Sequence, residues 1–337
     1  PQRRLRIGYV SPDFRQHSGN YFIEPVFAHH DRERFELTAY AELVAEDSTT
    51  PRLKAYFDHW VPTASMTDAQ LAERIRADGI DILIDVAGHT AGNRLGAFAR
   101  KPAPVSLTWL GFGYTTGLTA IDYILTDEVM LPAGYEHLFA EKPWRLPQGN
   151  FIYRPGAAMG DPGPLPAQAK GYVTLGTLTR AIRMNDRTVK VWSEILRRLP
   201  QAHLVVNSTS YRDGPMCEQL IRRFEAHGIE RQRLEIGCTS PPWDVLRAMD
   251  IGLDCFPHNS GVTLVETLYM GVPYVTLADR PSVGRIGASV LHSIGHPEWV
   301  ADDEDAYVRK VVELASDLPA LQAVRNTLRD ELRASPL

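Results

Sequence analysis

The sequence predicts an α/β protein of two doubly wound, Rossmann-like domains facing across a cleft. Two observations carry this. Short apolar runs alternate with helix-like segments, first over residues 5–125 and again from Tyr172 onward, the rhythm of parallel strands joined by crossover helices. Between the two series, residues 147–169 hold Pro147, Pro155, Pro162, Pro164 and Pro166 interleaved with Gly149, Gly156, Gly160 and Gly163. Such a composition builds no core and reads as a linker. The expected boundaries are 1–150 for the first domain, 151–170 for the linker and 171–337 for the second domain.

Each element follows from its local pattern. In the first half, apolar runs predict strands over 5–10, 35–40, 80–86, 105–110 and 121–125, and helical spacing predicts a helix over 67–78 with Thr67 as its cap. In the second half, strands are expected over 172–175, 204–207, 234–237, 251–255 and 274–277. Helices are expected over 186–198, 215–227, 242–249 and 263–270, and two more, 303–316 and 319–333, close the chain. In open sheets of this kind ligands sit outside the carboxyl ends of the strands.

Composition narrows the function. The 337 residues are 44% apolar and 23% charged, with a net charge of −5, and lack the basic footprint of a nucleic-acid binder. Cys217, Cys238 and Cys255 form no Cys-x-x-Cys pair and read as small core residues of a reducing, cytoplasmic compartment. No apolar run is long enough to span a membrane, and the chain opens on Arg3, Arg4 and Arg6 rather than a signal peptide. That opening suggests that an upstream segment has been removed. No metal site is expected: His29 and His30 are adjacent and share no face, and no Gly-x-Ser-x-Gly elbow supports a serine hydrolase.

The most informative stretch is 256–273. An apolar strand feeds the small-residue turn Asn259-Ser260-Gly261, whose residues are candidate substrate contacts, a helix begins near Val262 and Thr263, and Gly271 and Pro273 end it. Free amides and the helix dipole make such a start an anion site. Glu266 lies one turn deeper than Thr263, where a carboxylate suits the ribose hydroxyls of a nucleotide. A strand–turn–helix with a core-facing Glu fits the same residues.

Other loops after strands add candidates. His17 follows the first strand and suits proton transfer or hydrogen bonding near neutral pH; the alternative is a loop histidine capping the next helix. His89 and Thr90 follow the strand at 80–86, in a turn that equally reads as an ordinary connection. Gly111 and Gly113 stand in a glycine-spaced loop without the full Gly-x-Gly-x-x-Gly fingerprint. Arg180 and Arg183 precede the helix at 186–198 and offer forked donors for a diphosphate, or a solvated basic turn. Arg285 is a further cation after a strand.

Taken together, residues 6–14, His17-Ser18, 21–24, Gly88-His89-Thr90, 101–104, 109–111, 115–117, Asp122-Tyr123, Leu253-Asp254 and 270–273 resemble the catalytic region of the O-linked N-acetylglucosamine transferase and SPINDLY family. The resemblance runs over nearly the whole chain in order, and the plant SPINDLY branch and its bacterial relatives look most similar. It implies a GT-B fold and inverting, metal-independent transfer of a sugar, N-acetylglucosamine or a related one such as fucose. The donor would be a UDP- or GDP-sugar, with no other cofactor, and the acceptor a protein Ser or Thr hydroxyl. It also implies an upstream tetratricopeptide array.

By the same resemblance His17 matches the family's loop histidine, Gly111 its glycine loop, Gly261, Val262 and Thr263 its diphosphate-binding helix start, and Glu266 its ribose-binding acid. Two positions depart: the family's cleft lysine falls on Arg183, and a base-packing histidine of some members falls near Trp243, whose ring keeps a π face. The expected partners are a nucleotide sugar and an acceptor protein, without nucleic acid or membrane. A catalytically degenerate nucleotide-sugar-binding module and a nucleotide-sugar epimerase are the alternatives.

Overall fold

A computed structural model of the chain describes residues 3–337. The chain divides into two compact units: residues up to Arg154 together with Pro281–Val283, and Pro155–Arg280 with Gly284–Leu337.

The first unit runs β1 (Leu5–Ser11), α1 (Asn20–His29), β2 (Phe35–Ala41), α2 (Thr50–Lys54), β3 (His59–Pro62), α3 (Asp68–Asp78), β4 (Ile82–Asp85), α4 (Leu95–Phe98), β5 (Val105–Thr108), β6 (Tyr123–Thr126) and β7 (Lys142–Arg145). Its strands form one sheet in the order β3-β2-β1-β4-β5-β6-β7, with parallel pairing throughout. Strand alternation divides the core between the two faces. Ile7, Tyr9, Leu37, Ala39 and Ile84 join Phe14, Ile23 and Phe27 on one side, and Val10, Tyr40 and Leu83 join Leu71, Ile75 and Phe98 on the other.

The second unit runs α5 (Pro166–Lys170), β8 (Thr174–Thr177), α6 (Asp186–Arg198), β9 (His203–Asn207), α7 (Gly214–Glu225), β10 (Leu234–Gly237), α8 (Trp243–Arg247), β11 (Ile251–Leu253), α9 (Val262–Tyr269), β12 (Tyr274–Leu277), α10 (Ile286–Ser293), β13 (Val300–Ala301), α11 (Glu304–Ser316) and α12 (Leu318–Ala334). The sheet order is β10-β9-β8-β11-β12-β13, again parallel. Trp192, fully buried on α6, anchors its core with Leu175, Leu204 and Val275.

The expected helix at 186–198 and the Thr67 cap are both present: Asn185 accepts from the Thr188 N–H, and Thr67 and Gln70 form a reciprocal capping box. Several elements differ from expectation. The short strands β3, β7 and β13 carry too little apolar alternation to stand out. The strand expected over 251–255 stops at Leu253. Helix α1 contains Pro25, which cannot donate to the Tyr21 carbonyl. The Arg154 N–H takes that carbonyl instead, at 2.8 Å.

The proline- and glycine-rich segment is also more ordered than its composition suggests. Its last residues form α5, and arginines of α12 pin the part before it. Arg325 donates to the carbonyls of Pro162 and Gly163, both at 3.1 Å, and of Arg247 and Met249, both at 2.8 Å. Arg329 reaches the Gly160 carbonyl at 2.7 Å. Burial pushes the Arg325 guanidinium down to about 10, still charged at neutral pH. No helix among the described residues is long and apolar enough to cross a membrane.

A second contact ties α12 to the turn before β13. His296 stacks on Trp299 with ring centroids 4.0 Å apart, and its ring nitrogens each lie 2.7 Å from a carboxylate, Glu298 and Glu331. Burial opposes the charged ring, but the hydrogen bonds to Glu331 and Glu298 outweigh it and raise its pKa above 6.5. A raised folded-state pKa contributes stability below the unfolded value that is lost as pH rises through the folded value. The contact should therefore contribute about 0.5–1 kcal/mol at pH 6 and little at pH 9. Urea denaturation of the parent and His296→Ala at both values checks this; an equal difference at the two pH values contradicts it.

Candidate functional site

The two sheets share one topology. In each, the first strand of the unit is flanked by its second and fourth, so the chain reverses its direction of winding between β1 and β4, and again between β8 and β11. Loops at the carboxyl ends of strands flanking such a reversal diverge and open a crevice. In the second unit these loops are 178–185, which carries Arg180 and Arg183, and 254–261, which leads into α9.

The start of α9 is open. Among the described residues no acceptor takes the backbone N–H groups of Gly261, Val262 or Thr263, whereas the Leu264 N–H already bonds the Gly261 carbonyl at 3.0 Å. Three free amides at one helix end form a ready anion cradle. A Cβ added at Gly261 would meet no atom within 4 Å, so the space above it is clear.

One turn deeper, Glu266 is 7% exposed. Its carboxylate makes no hydrogen bond or ion pair among the described residues, and burial alone pushes its pKa up to about 7. An isolated buried carboxylate is costly to the fold, which favours a ligand role over a core-facing cap.

Asp254 shapes the loop before α9. It is fully buried and accepts from the Ser260 N–H at 2.9 Å and the Thr276 hydroxyl at 2.7 Å. Burial pushes it up to about 7. The first unit repeats the device at its equivalent strand. Buried Asp85 accepts from the N–H groups of Ala87 and Gly88 and from the Thr108 hydroxyl. Sequence reasoning passed over both acids as positioning groups; an aspartate closing an apolar strand is the available signal.

Arg183 ends a short 3-10 turn, Ala181–Arg183. Asn185 and Thr188 bind this region to the β11 loop, each donating to the Phe256 carbonyl, at 2.6 and 3.0 Å. Arg183 forms no ion pair among the described residues, and its Nε is buried without a partner. Among the described residues its side chain makes one hydrogen bond, from Nη2 to Nε2 of His258 at 3.3 Å. Burial lowers its pKa, an effect that Cys255 and Asp254 oppose and Arg180 reinforces. Arg180 itself is exposed.

The remaining candidates of this unit are placed as follows. Asn259 is wholly buried; its side chain donates to the Cys255 carbonyl at 3.0 Å and accepts from the Gly287 N–H at 3.1 Å. Ser260 is 2% exposed. The side chains of both hold the loop together. Trp243 is half-buried at the start of α8, after the edge strand β10, two strand spacings or about 10 Å across the sheet from β8. Arg285 is half-buried where α10 begins, after β12.

In the first unit, His17 follows β1 and His89 and Thr90 follow β4, again at the reversal. The His17 side chain is 41% exposed and its Nδ1 lies 3.6 Å from Asp13. Nδ1 accepts from the Gly19 N–H at 3.1 Å, so the neutral ring carries its proton on Nε2, where it can act as a donor. His89 is exposed, and the Thr90 hydroxyl donates to the Ala87 carbonyl at 2.8 Å. Gly111, at φ +62°, presses on the turn after β4, where a Cβ would sit 2.4 Å from the Ala87 carbonyl carbon. Gly113 has φ +73° and ordinary contacts.

Chemically, the second unit offers free amides, an unpaired guanidinium and a poised carboxylate, a set that suits an anionic ligand carrying hydroxyls. No group of three or more His, Cys, Asp and Glu side chains placed to hold a metal occurs among the described residues.

Comparison with known proteins finds relatives over the whole chain. The family model for glycosyl transferase family 41 matches residues 1–156 and 164–337. The chain is 36% identical to the protein named probable UDP-N-acetylglucosamine--peptide N-acetylglucosaminyltransferase SPINDLY of Arabidopsis thaliana, covering all of this chain and 38% of that protein. It is 35% identical to the like-named protein of Solanum lycopersicum, over 37% of that protein's length. The chain thus spans less than two-fifths of these relatives. Among solved structures, a mutant O-GlcNAc transferase of Thermobaculum terrenum superposes with a TM-score of 0.93 at 38% identity, covering 98% of this chain and 64% of that one. Anabaena HepE with UDP and glucose, at 11% identity and a TM-score of 0.58 over 98% of this chain and 95% of that one, shares the fold alone. The fold is of the GT-B class expected.

Proposed function

We propose that this chain, which belongs to glycosyl transferase family 41, binds a nucleotide-diphosphate sugar at the start of α9 and transfers its sugar, with inversion and without a metal ion, to a Ser or Thr hydroxyl of a protein. The observation that carries this reading is the three unbonded amides of Gly261–Thr263 after β11 and, on the loop after the neighbouring strand β8, Arg183, a cation with no carboxylate partner among the described residues. The names of the relatives, which specify UDP-N-acetylglucosamine and peptide, support it. The donor would be a UDP- or GDP-sugar, and the sugar N-acetylglucosamine or a relative such as fucose.

In the transfer, the acceptor oxygen bonds the anomeric carbon as the carbon–oxygen bond to the diphosphate breaks. The electron pair leaves with the diphosphate, and the acceptor's proton passes to water or to a phosphate oxygen of the leaving group. Charge therefore grows on the leaving group, and fixed amides and a buried cation stabilise it most where water is excluded. Glu266 would accept hydrogen bonds from the ribose hydroxyls. His17, with its proton on Nε2, fits a donor to a sugar or acceptor oxygen better than a base.

Thermal denaturation with UDP, GDP and CMP tests the reading. A ligand at 100 times its Kd should stabilise the protein by about 2.7 kcal/mol, for UDP or GDP and equally in EDTA. No shift with any nucleotide contradicts the donor site. A shift that chelation abolishes and Mg²⁺ or Mn²⁺ restores contradicts metal independence.

A further inference from the structure

His258 stands three residues before Gly261 and belongs to none of the candidates read from the sequence. Its Nε2 lies 3.3 Å from Nη2 of Arg183. A guanidinium has donors only, so the imidazole nitrogen must accept and the ring must be uncharged at that atom. The contrast with Arg94, another largely buried arginine, is informative. Arg94 sits between two carboxylates, Glu42 at 2.5 Å and Asp68 at 2.7 Å, which consume its charge. Arg183 has no such partner among the described residues, and both oxygens of the nearby Asp254 are already engaged by Ser260 and Thr276.

We propose that His258 is a positioning residue that fixes the Arg183 guanidinium through a neutral acceptor, and so leaves the full cationic charge for an incoming diphosphate. A carboxylate in this place would orient the fork equally well but would cancel the charge and repel the phosphates. The surroundings keep the ring neutral: burial, then the cations Arg183 and Arg180, push its pKa down to about 4. From its own loop, the Cys255 thiol donates to the His258 carbonyl at 3.2 Å and leaves the ring's role unchanged.

The inference rests on the proposed nucleotide site, and the test separates the two. UDP and GDP are titrated calorimetrically into the parent, His258→Phe, His258→Gln, Arg183→Ala and the double variant Arg183→Ala/His258→Phe. For the nucleotide that binds the parent, His258→Phe should weaken affinity about fivefold, the worth of one orienting hydrogen bond. His258→Gln, whose amide oxygen can accept, should recover most of that loss. In the Arg183→Ala background His258→Phe should cost nothing further, because there is no guanidinium left to orient. Unchanged affinity in a folded His258→Phe protein, failure of Gln to rescue, or an equal loss in the Arg183→Ala background each overturns the inference while leaving the nucleotide site standing. A parent that binds neither nucleotide overturns both.

Discussion

Arg183→Ala should cut turnover about a hundredfold or more, the scale of losing one preorganised charge contact, while weakening nucleotide binding far less. The asymmetry follows from where charge develops. A bound donor carries its phosphate charge already, but the leaving diphosphate gains more as the glycosidic bond breaks, so a fixed cation favours the transition state over the ground state. Arg183 is suited to this because it is held in place yet pairs with no carboxylate. Removing its side chain should not unfold the unit: among the described residues that side chain makes one hydrogen bond and leaves its Nε without a partner. Arg183→Lys is the sharper comparison, since the resemblance to the family implies a lysine there. If the fork is adapted to its histidine-held pose, the lysine variant is slower than the parent, because a point charge lacks the paired donors. A lysine variant faster than the parent would indicate a decayed site, and indifference to both substitutions moves the role to Arg180 or Arg285.

Glu266→Gln should strengthen the fold and weaken the function. Burial raises the carboxyl from 4.5 to about 7, so the folded protein holds a proton that the unfolded chain releases. Such a raised acid costs nothing below pH 4.5; the penalty grows through the interval to about pH 7 and is full above it. Its size is roughly 3 kcal/mol. The amide carries no charge, so Glu266→Gln should be more stable than the parent at pH 8 by about 2–3 kcal/mol and nearly equal to it at pH 4.5. The same change should cost about tenfold or more in nucleotide affinity, as charge-assisted hydrogen bonds to the ribose are lost. Denaturant titrations at the two pH values, with calorimetry alongside, read both effects. A variant destabilised at pH 8 with affinity unchanged would return Glu266 to the role of a core-facing helix residue.

Much of this was legible in the chain. The alternation of apolar runs and helical spacing set out both sheets, because central parallel strands are buried on both faces and must be continuously apolar. The helix α6 was legible at its observed bounds, Asp186–Arg198. The α9 start was visible as strand, small-residue turn and helix. What escaped depends on partners far away in sequence. Nothing near Pro25 announces that Arg154 will take the stranded Tyr21 carbonyl. Nothing in α12 says that Arg325 will gather four carbonyls from two segments. Asn259 and Ser260 read as ligand contacts because polar turn residues look alike, whereas Asn259 is committed to Cys255 and Gly287. His258 and the paired acids Asp85 and Asp254 acquire meaning only once their loops are closed.

The central claim is that three unbonded amides at the start of α9 take the diphosphate of a nucleotide. The most direct measurement is the backbone amide spectrum of the isotopically labelled protein during titration with UDP and with GDP. A phosphate oxygen arriving at an unbonded N–H creates a charge-assisted hydrogen bond and draws its proton resonance downfield. The account predicts large, saturable downfield shifts at Gly261, Val262 and Thr263 with at least one of the two nucleotides, and small ones at Leu264, whose N–H is already bonded. Saturable binding that leaves these three amides unmoved and shifts another region would contradict it.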